Sequence, residues 1–201
     1  FLTRNPETGK YRLGSELFRL GSKVDADLQN LVTPYINELA DQFHETVNLM
    51  VLDGTSLLRV VKRESVHSLR NTSQTGRREP LHLSAGGKAM LAAMSPDRAR
   101  SILDNSVFVR YTDTTLVTVN QVLNDLEKTR QRGYAVDDGE VEYGLLCVGE
   151  AILDSKQEPV AALTVSGPSF RISGKKMEQI VAELNRCCRE IESKLAGNPF
   201  V

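Results

Sequence analysis

The chain has 201 residues, of which 40% are hydrophobic, and this length and composition suit one sizeable domain with an appendage. Its 25 Lys and Arg residues against 26 Asp and Glu give a formal net charge of -1, which argues against a chain made only of a nucleic-acid-binding module. The sequence has three cysteines without paired spacing, three histidines and no apolar run of membrane-span length, so we expect a cytoplasmic protein without disulfides, a metal site or a membrane segment.

The first 13 residues are predicted to form a basic hairpin. Apolar and polar residues alternate on both sides of Asn5–Gly9, which has the composition of a turn. Arg4, Lys10 and Arg12 make both arms basic. Because so short a hairpin is unstable alone, and Phe1 begins inside the alternating pattern, we expect these residues to end a preceding domain of a longer protein.

Two helices are predicted to follow the hairpin. A short one covers Ser15–Gly21, and a longer one covers Asp27–Phe43, where apolar residues recur at helical spacing. Thr33-Pro34 has the pattern of a helix cap followed by a first-turn proline. The longer stretch is therefore predicted to restart at Pro34.

The rest of the chain predicts two groups of three strands, with helices between and after them. In the first group, Val47–Leu52 and Leu57–Val61 flank an Asp53-Gly54 turn, and the weakly alternating Val66–Thr75 is the third strand. This order indicates an α/β domain with one mostly antiparallel sheet. The later elements are helices over Gly87–Ala93, from Ser95-Pro96 and over Leu116–Arg132, strands over Tyr134–Asp137, Leu145–Leu153 and Pro159–Ser166, and a helix over Lys175–Leu195.

The segment Gly76–Leu91, GRREPLHLSAGGKAML, places glycines at the start of an apolar helix. Free N–H groups and the helix dipole at such a start favour an anion. Two interpretations of Ser84–Lys88 stay open: its amides bind a carboxylate, or its glycines allow the helix to pack closely on the sheet. It is not a P-loop, because Ala89 follows Lys88 where a hydroxyl residue is required.

Small and hydroxyl residues on two later strands predict an opposite wall. Thr164 and Ser166 share one face of their strand, and Cys147, Gly149 and Ala151 share one face of the neighbouring strand. Hydroxyls on an inner face need hydrogen bonds, so a polar cavity or a bound ligand explains them, as does a solvent-facing strand.

Other reactive side chains allow both a functional and a structural interpretation. The acidic residues Asp137, Asp138, Glu140 and Glu142 fit acid–base chemistry, cation binding or a solvated turn, and we favour the turn for Asp138 and Glu142. Arg70, Arg77 and Arg78 are candidates to steer an anion toward the helix start, although solvated surface is the commoner role for arginines in or beside a loop; Arg70 is the best exception.

Cys147 with His82 is the candidate pair for a thiol-dependent hydrolase, although a buried inert cysteine and a structural histidine are the commoner cases.

Taken in order, the motifs resemble the effector-binding domain of IclR-type bacterial transcriptional regulators. The resemblance covers nearly the whole chain, and the ordered set is specific although each motif is weak alone. The motifs are Tyr11–Gly14, Glu45–Val47, Gly76–His82, Ser84–Ala89, Arg132–Ala135, Asp137–Glu140, Gly144–Cys147 and Ser166–Pro168.

The resemblance implies three parts and a fold. Residues 1–13 would be the wing of a winged helix-turn-helix domain, residues 14–30 a linker helix, and residues 31–197 the effector-binding domain. That domain would have a GAF/PAS-like, curved, six-stranded, mostly antiparallel sheet flanked by helices. The family implies a homodimer or homotetramer on operator DNA and a small-molecule effector, often a carboxylate or aromatic acid, with no cofactor and no enzymatic activity.

The resemblance also implies roles for individual residues. Glu150 departs from the family pattern, and its phase relative to Cys147 predicts that it points away from the ligand. The implied ligand contacts are the amides of Ala85 and Gly86 and the side chains of Asp137, Cys147, Thr164 and Ser166, with Arg70 and Ser84 as secondary candidates and Arg4, Lys10 and Arg12 as DNA contacts of the wing.

Three functions therefore compete. A ligand sensor requires a small-molecule site between the helix start and the strands. A thiol hydrolase requires Cys147 beside His82 in a thiolate-forming site. A pure oligomerisation domain predicts that apolar side chains fill the space between Gly86 and Ser166.

Overall fold

A computed structural model describes residues 2–4, 8–13 and 26–196. Leu2–Arg4 (β1) and Tyr11–Leu13 (β2) pair as an antiparallel hairpin, as the alternating pattern predicts. The helix expected over Ser15–Gly21 lies outside the described residues.

The main sheet has six strands in the order β5-β4-β3-β8-β7-β6, and every neighbouring pair is antiparallel. The two predicted groups of strands meet in the middle, where β3 pairs with β8. This curled sheet confirms the predicted α/β fold class. The strands are Thr46–Asp53 (β3), Ser56–Arg63 (β4), Arg78–Pro80 (β5), Ala135–Asp138 (β6), Leu145–Leu153 (β7) and Pro159–Pro168 (β8).

Helices cover both faces of the sheet, because successive residues of the central strands enter two different cores. Leu49 and Leu163 pack under the first and last helices, whereas Met50 and Ala162 pack under the middle three. None of the helices in the described ranges is long and apolar enough to cross a membrane. The helices are Ala26–Phe43 (α1), Ala85–Ala93 (α2), Pro96–Asp104 (α3), Val119–Arg132 (α4) and Gly174–Ala196 (α5).

Local sequence signals fix the ends of the middle helices. The Ser84 hydroxyl accepts the Gly87 N–H at 3.2 Å and begins α2. Ser95 caps α3 in the same way, with Pro96 at its first position. Gly133 ends α4 in the left-handed conformation, with φ of 85°.

The prediction that the long helix restarts at Pro34 is wrong, because α1 runs without a break through this proline. A proline inside a helix removes one backbone hydrogen bond. Burial of Val32, Ile36 and Leu39 against the sheet outweighs that loss, and the Thr33 hydroxyl bonds the Gln29 carbonyl at 2.6 Å. The helix also crosses the expected domain boundary between residues 30 and 31.

The prediction of a strand over Val66–Thr75 is also wrong, and the third strand is β5 instead. Pairing with β4 begins only at Gly76, whose N–H donates to the Arg59 carbonyl at 2.8 Å. Polar side chains before it bond locally, as Asn71 does with Ser73. The weak alternation therefore reflects an irregular segment rather than a strand.

Replacing Gly87 with alanine tests how closely α2 packs. The added Cβ would overlap the Leu81 backbone, so we expect the substitution to lower the free energy of unfolding by about 1–3 kcal/mol in urea denaturation. Helix propensity alone predicts the opposite sign, a gain of about 1 kcal/mol. Ala92→Gly on the same helix is the control for propensity, and a stabilised Gly87→Ala variant would contradict the packing.

Candidate ligand-binding site

A cavity of about 150 Å³ lies between the first turn of α2 and the face of the sheet beneath it. Gly86 and Ser166 both line this cavity. A pure oligomerisation domain predicts that apolar side chains fill the space between them, and the structure contradicts that prediction. By comparison, an engineered cavity of similar size holds benzene, so the space suits about six non-hydrogen atoms.

The sheet builds the cavity floor from two rows of paired residues. Asp137, Cys147 and Ser166 lie opposite one another across β6, β7 and β8. In the next row, Thr164 lies opposite Asn48 of β3, and their side chains are hydrogen-bonded at 3.1 Å. All five side chains line the cavity, so the structure brings together the four strand residues that the sequence predicted and adds Asn48 to them.

The first turn of α2 forms the roof because glycines let it approach the floor closely. A Cβ on Gly86 would lie 3.0 Å from Thr164 Cγ2, and a Cβ on Gly149 would lie 2.8 Å from the Ala85 carbonyl carbon. Among the described residues, no acceptor is bonded to the N–H groups of Ala85 and Gly86. The glycines therefore allow the close packing, and this packing leaves the two free amides at the cavity.

Asp137 supplies a titratable group to the cavity. It is 3% exposed, and its Oδ1 accepts the Glu140 N–H at 2.9 Å. Burial raises the pKa of Asp137 to about 6, although this hydrogen bond and the Lys88 charge favour the ionised form. A fraction of this carboxyl is thus protonated near neutral pH and able to donate a hydrogen bond.

The backbone of the acidic segment after β6 accepts hydrogen bonds from neighbouring hydroxyl groups. The hydroxyls of Thr112 and Thr115 donate to the carbonyls of Gly139 and Glu140, respectively, both at 2.6 Å. Within the described ranges, no group of His, Cys, Asp and Glu side chains could hold a metal ion.

Lys88 carries a buried charge beside the cavity. Its ammonium group is fully buried and contacts Glu140 at 2.5 Å and Asp125 at 2.9 Å. Burial raises the pKa of Glu140 to about 7 even though Lys88 favours its ionised form. These ion pairs join α2 to α4 and to the segment that positions Asp137, a role that sequence reasoning missed.

The geometry gives no support to a thiol hydrolase. Burial raises the pKa of the Cys147 thiol well above its ordinary value, which opposes thiolate formation. His82 is fully buried, its ring packs against Phe108 at 4.4 Å, and it is not part of the cavity wall. Burial also lowers the pKa of His82, so it supplies no cation to the thiol.

Arg70 was expected to be the arginine best placed to steer a ligand, but its side chain does not line the cavity. Its Nε donates to Glu64 at 3.0 Å on the exposed side of the irregular segment. The other two candidates, Arg77 and Arg78, line the cavity, as does Arg59.

Asn48 and Arg59 were missed by sequence reasoning. The signal that could have found them is a polar residue within an apolar strand, in phase with neighbours on one face.

The remaining predicted residues are placed as follows. Ser84 both caps α2 and lines the cavity. Glu150 lies on the opposite side of the sheet, where its carboxylate accepts from Asn185 of α5 at 2.9 Å. Lys10 is exposed on the hairpin, and the structure does not describe the side chains of Arg4 and Arg12.

Comparisons with known proteins agree on one family. The C-terminal model of the bacterial transcriptional regulator IclR matches residues 22–193. The transcriptional regulator KdgR of Escherichia coli K12 is 32% identical over 202 residues, covering 100% of this chain and 77% of KdgR. The transcriptional repressor IclR of the same organism is 31% identical over 201 residues, covering 98% and 73%. The crystal structure of Thermotoga maritima IclR matches with a TM-score of 0.85 at 30% identity, covering 97% of this chain and 79% of that one.

Replacing Lys88 with methionine tests the buried ion pairs. Removing this cation leaves the carboxylates of Glu140 and Asp125 without their ion-pair partner. We therefore expect the free energy of unfolding near pH 7.5 to fall by about 3–5 kcal/mol. Without Lys88 the folded-state pKa of Glu140 rises further above its unfolded value. The free energy of unfolding of the variant therefore falls as the pH rises from the unfolded-state pKa of Glu140 toward its raised folded-state pKa. The difference in stability between the variant and the unmodified protein should be smaller near pH 5.5 than near pH 7.5.

Urea denaturation at both pH values measures this difference. Lys128→Met, which removes an exposed lysine from α4, is the matched control and should change stability little at either pH. An equal loss for Lys88→Met at both pH values would show that the charge of Glu140 is not involved.

Proposed function

The chain belongs to the IclR family of bacterial transcriptional regulators, and we propose that its cavity senses a small carboxylate effector. The observation that carries this proposal is the placement of free amides of Ala85 and Gly86 over a floor of hydroxyls from Thr164 and Ser166. A helix start and convergent hydroxyls are a suitable environment for an oxyanion.

The charges around the cavity support an anionic ligand. Arg59, Arg77 and Arg78 line the cavity, but Arg59 is paired with Glu79 at 2.8 Å and Arg78 is paired with Asp53. Burial raises the pKa of Asp137 to about 6, which lowers the negative charge of the remaining carboxyl in the lining. Arg77 is therefore the lining arginine that remains available, within the described residues, to a ligand with one negative charge.

We infer that the effector acts on transcription through the elements attached to α2. The Lys88 ion pairs link α2 to α4 and to the segment after β6. A ligand that binds one arrangement of these elements more tightly shifts the population toward it. In a homodimer or homotetramer, that shift would change the spacing of the winged helix-turn-helix domains on operator DNA, with Arg4, Lys10 and Arg12 as wing contacts.

Substituting a floor hydroxyl tests the effector site. A thermal-shift screen of small carboxylic acids identifies a ligand, because binding to the folded state raises the melting temperature with concentration. We then expect Ser166→Ala to weaken that ligand about tenfold in calorimetry, the cost of one lost hydrogen bond to a charged group.

The control for this substitution is Ser101→Ala, which removes an exposed hydroxyl from α3. Unchanged affinity in both Ser166→Ala and Asp137→Ala would remove these residues from the site.

The raised pKa of Asp137 predicts a pH dependence of effector binding. The neutral carboxyl donates a hydrogen bond to the effector, whereas the ionised form repels it. Affinity for a monocarboxylate should therefore fall several-fold as the pH rises through about 6, from about 5.5 to about 7.5. Calorimetry with Asp137→Asn should give a flat profile, and an unchanged pH profile in that variant would assign the dependence to another group.

A further inference from the structure

Two side chains of the cavity wall each keep a polar atom without a partner. Asn48 is 2% exposed and donates its Nδ2 to Thr164, but its Oδ1 accepts no hydrogen bond within the described chain. Arg59 is 3% exposed and donates Nη2 to Glu79, but its Nε finds no acceptor among those residues. Buried polar atoms are nearly always hydrogen-bonded, so two exceptions beside one cavity indicate groups that a ligand completes.

Asn48 and Arg59, here called the polar pair, lie close together on the sheet. Arg59 of β4 is paired with Met50 of β3, after a register shift between Leu49 and Met50, and Asn48 lies two residues before Met50. Both side chains line the same cavity of about 150 Å³, so one small ligand can contact both. The polar pair also lies near the α2 amides, because Met50 and Thr164 both pack directly under Gly86.

A hydroxyl group is the substituent that suits both members of the polar pair. It donates to Asn48 Oδ1 and accepts from Arg59 Nε, whereas a carbonyl satisfies only Arg59 and a methyl satisfies neither. The orientation of the Asn48 amide decides this match, because a reversed amide would present an NH₂ group and a carbonyl oxygen could then accept from both residues. With Asn48 Nδ2 donating to Thr164, only a group that both donates and accepts a hydrogen bond satisfies the polar pair.

We propose that the effector is a hydroxylated carboxylic acid whose carboxylate binds the α2 amides and whose hydroxyl binds the polar pair. This inference rests on the proposed function and names the ligand class of the same site. A deoxy analogue would leave both buried atoms unpaired, and sites built around a substrate hydroxyl reject such analogues strongly. The structure thus assigns selectivity to Asn48 and Arg59, neither of which provides the carboxylate site.

Matched pairs of acids that differ by one hydroxyl test the proposal on the unmodified protein. Calorimetry compares lactate with propionate, 3-hydroxybutyrate with butyrate, and glycerate with lactate. We expect the more hydroxylated acid of at least one pair to bind at least about tenfold more tightly than its partner. Equal binding within every pair, or tighter binding of the deoxy acids, would overturn the proposal.

Asn48→Leu provides a second readout that a merely structural role would not give. The ratio of affinities within the selective pair should fall to about one, while the deoxy acid keeps its affinity within about twofold. Asn124→Leu, at an exposed position of α4, is the matched control and should keep the original ratio. The affinity ratio within each pair of acids, measured on the unmodified protein, decides the outcome. The proposal can therefore be contradicted even if the Asn48→Leu variant folds poorly.

The two proposals fail in different ways. If none of these acids binds, the carboxylate site and the hydroxyl selectivity are both wrong. If hydroxylated and deoxy acids bind equally and Ser166→Ala weakens both, the carboxylate site stands and the polar pair is satisfied by water instead.

Discussion

The close approach of α2 to the sheet is the constraint on which the cavity depends. Gly87 lets the helix start against the Leu81 backbone, and Gly149 leaves the floor low enough for Ala85 and Gly86 to lie on it. A methyl group at these positions would raise the helix and separate the amides from the floor hydroxyls. The contact between α2 and the sheet therefore determines both the packing of the helix and the geometry of the cavity.

The buried ion pairs of Lys88 connect α2 to elements other than the sheet on which it packs. A charge in the interior is costly unless it is paired, so Lys88 ties the position of α2 to Asp125 and Glu140. Glu140 in turn donates its N–H to Asp137. An interaction at the α2 amides is thus connected through a few contacts to α4 and to the segment after β6.

The two faces of the sheet differ in polarity. On one face, α1 and α5 bury a continuous apolar core with residues such as Leu49 and Leu163. The other face exposes Asn48, Thr164 and Ser166 to the cavity beside a smaller core. Burial of unpaired polar groups weakens a core, so the predominantly apolar face stabilises a domain whose opposite face contains the polar cavity.

The sequence by itself determined the α/β order, the capped starts of α2 and α3, and the faces of β7 and β8, because these depend on local patterning. It did not determine the continuity of α1 through Pro34 or the absence of a strand before β5, since tertiary packing overrides weak local signals there. Only the tertiary structure decided that Arg70 lies away from the cavity and that Lys88, Arg59 and Asn48 lie beside it. Register across strands and helix placement bring such residues together, and neither is written in the spacing of a single strand.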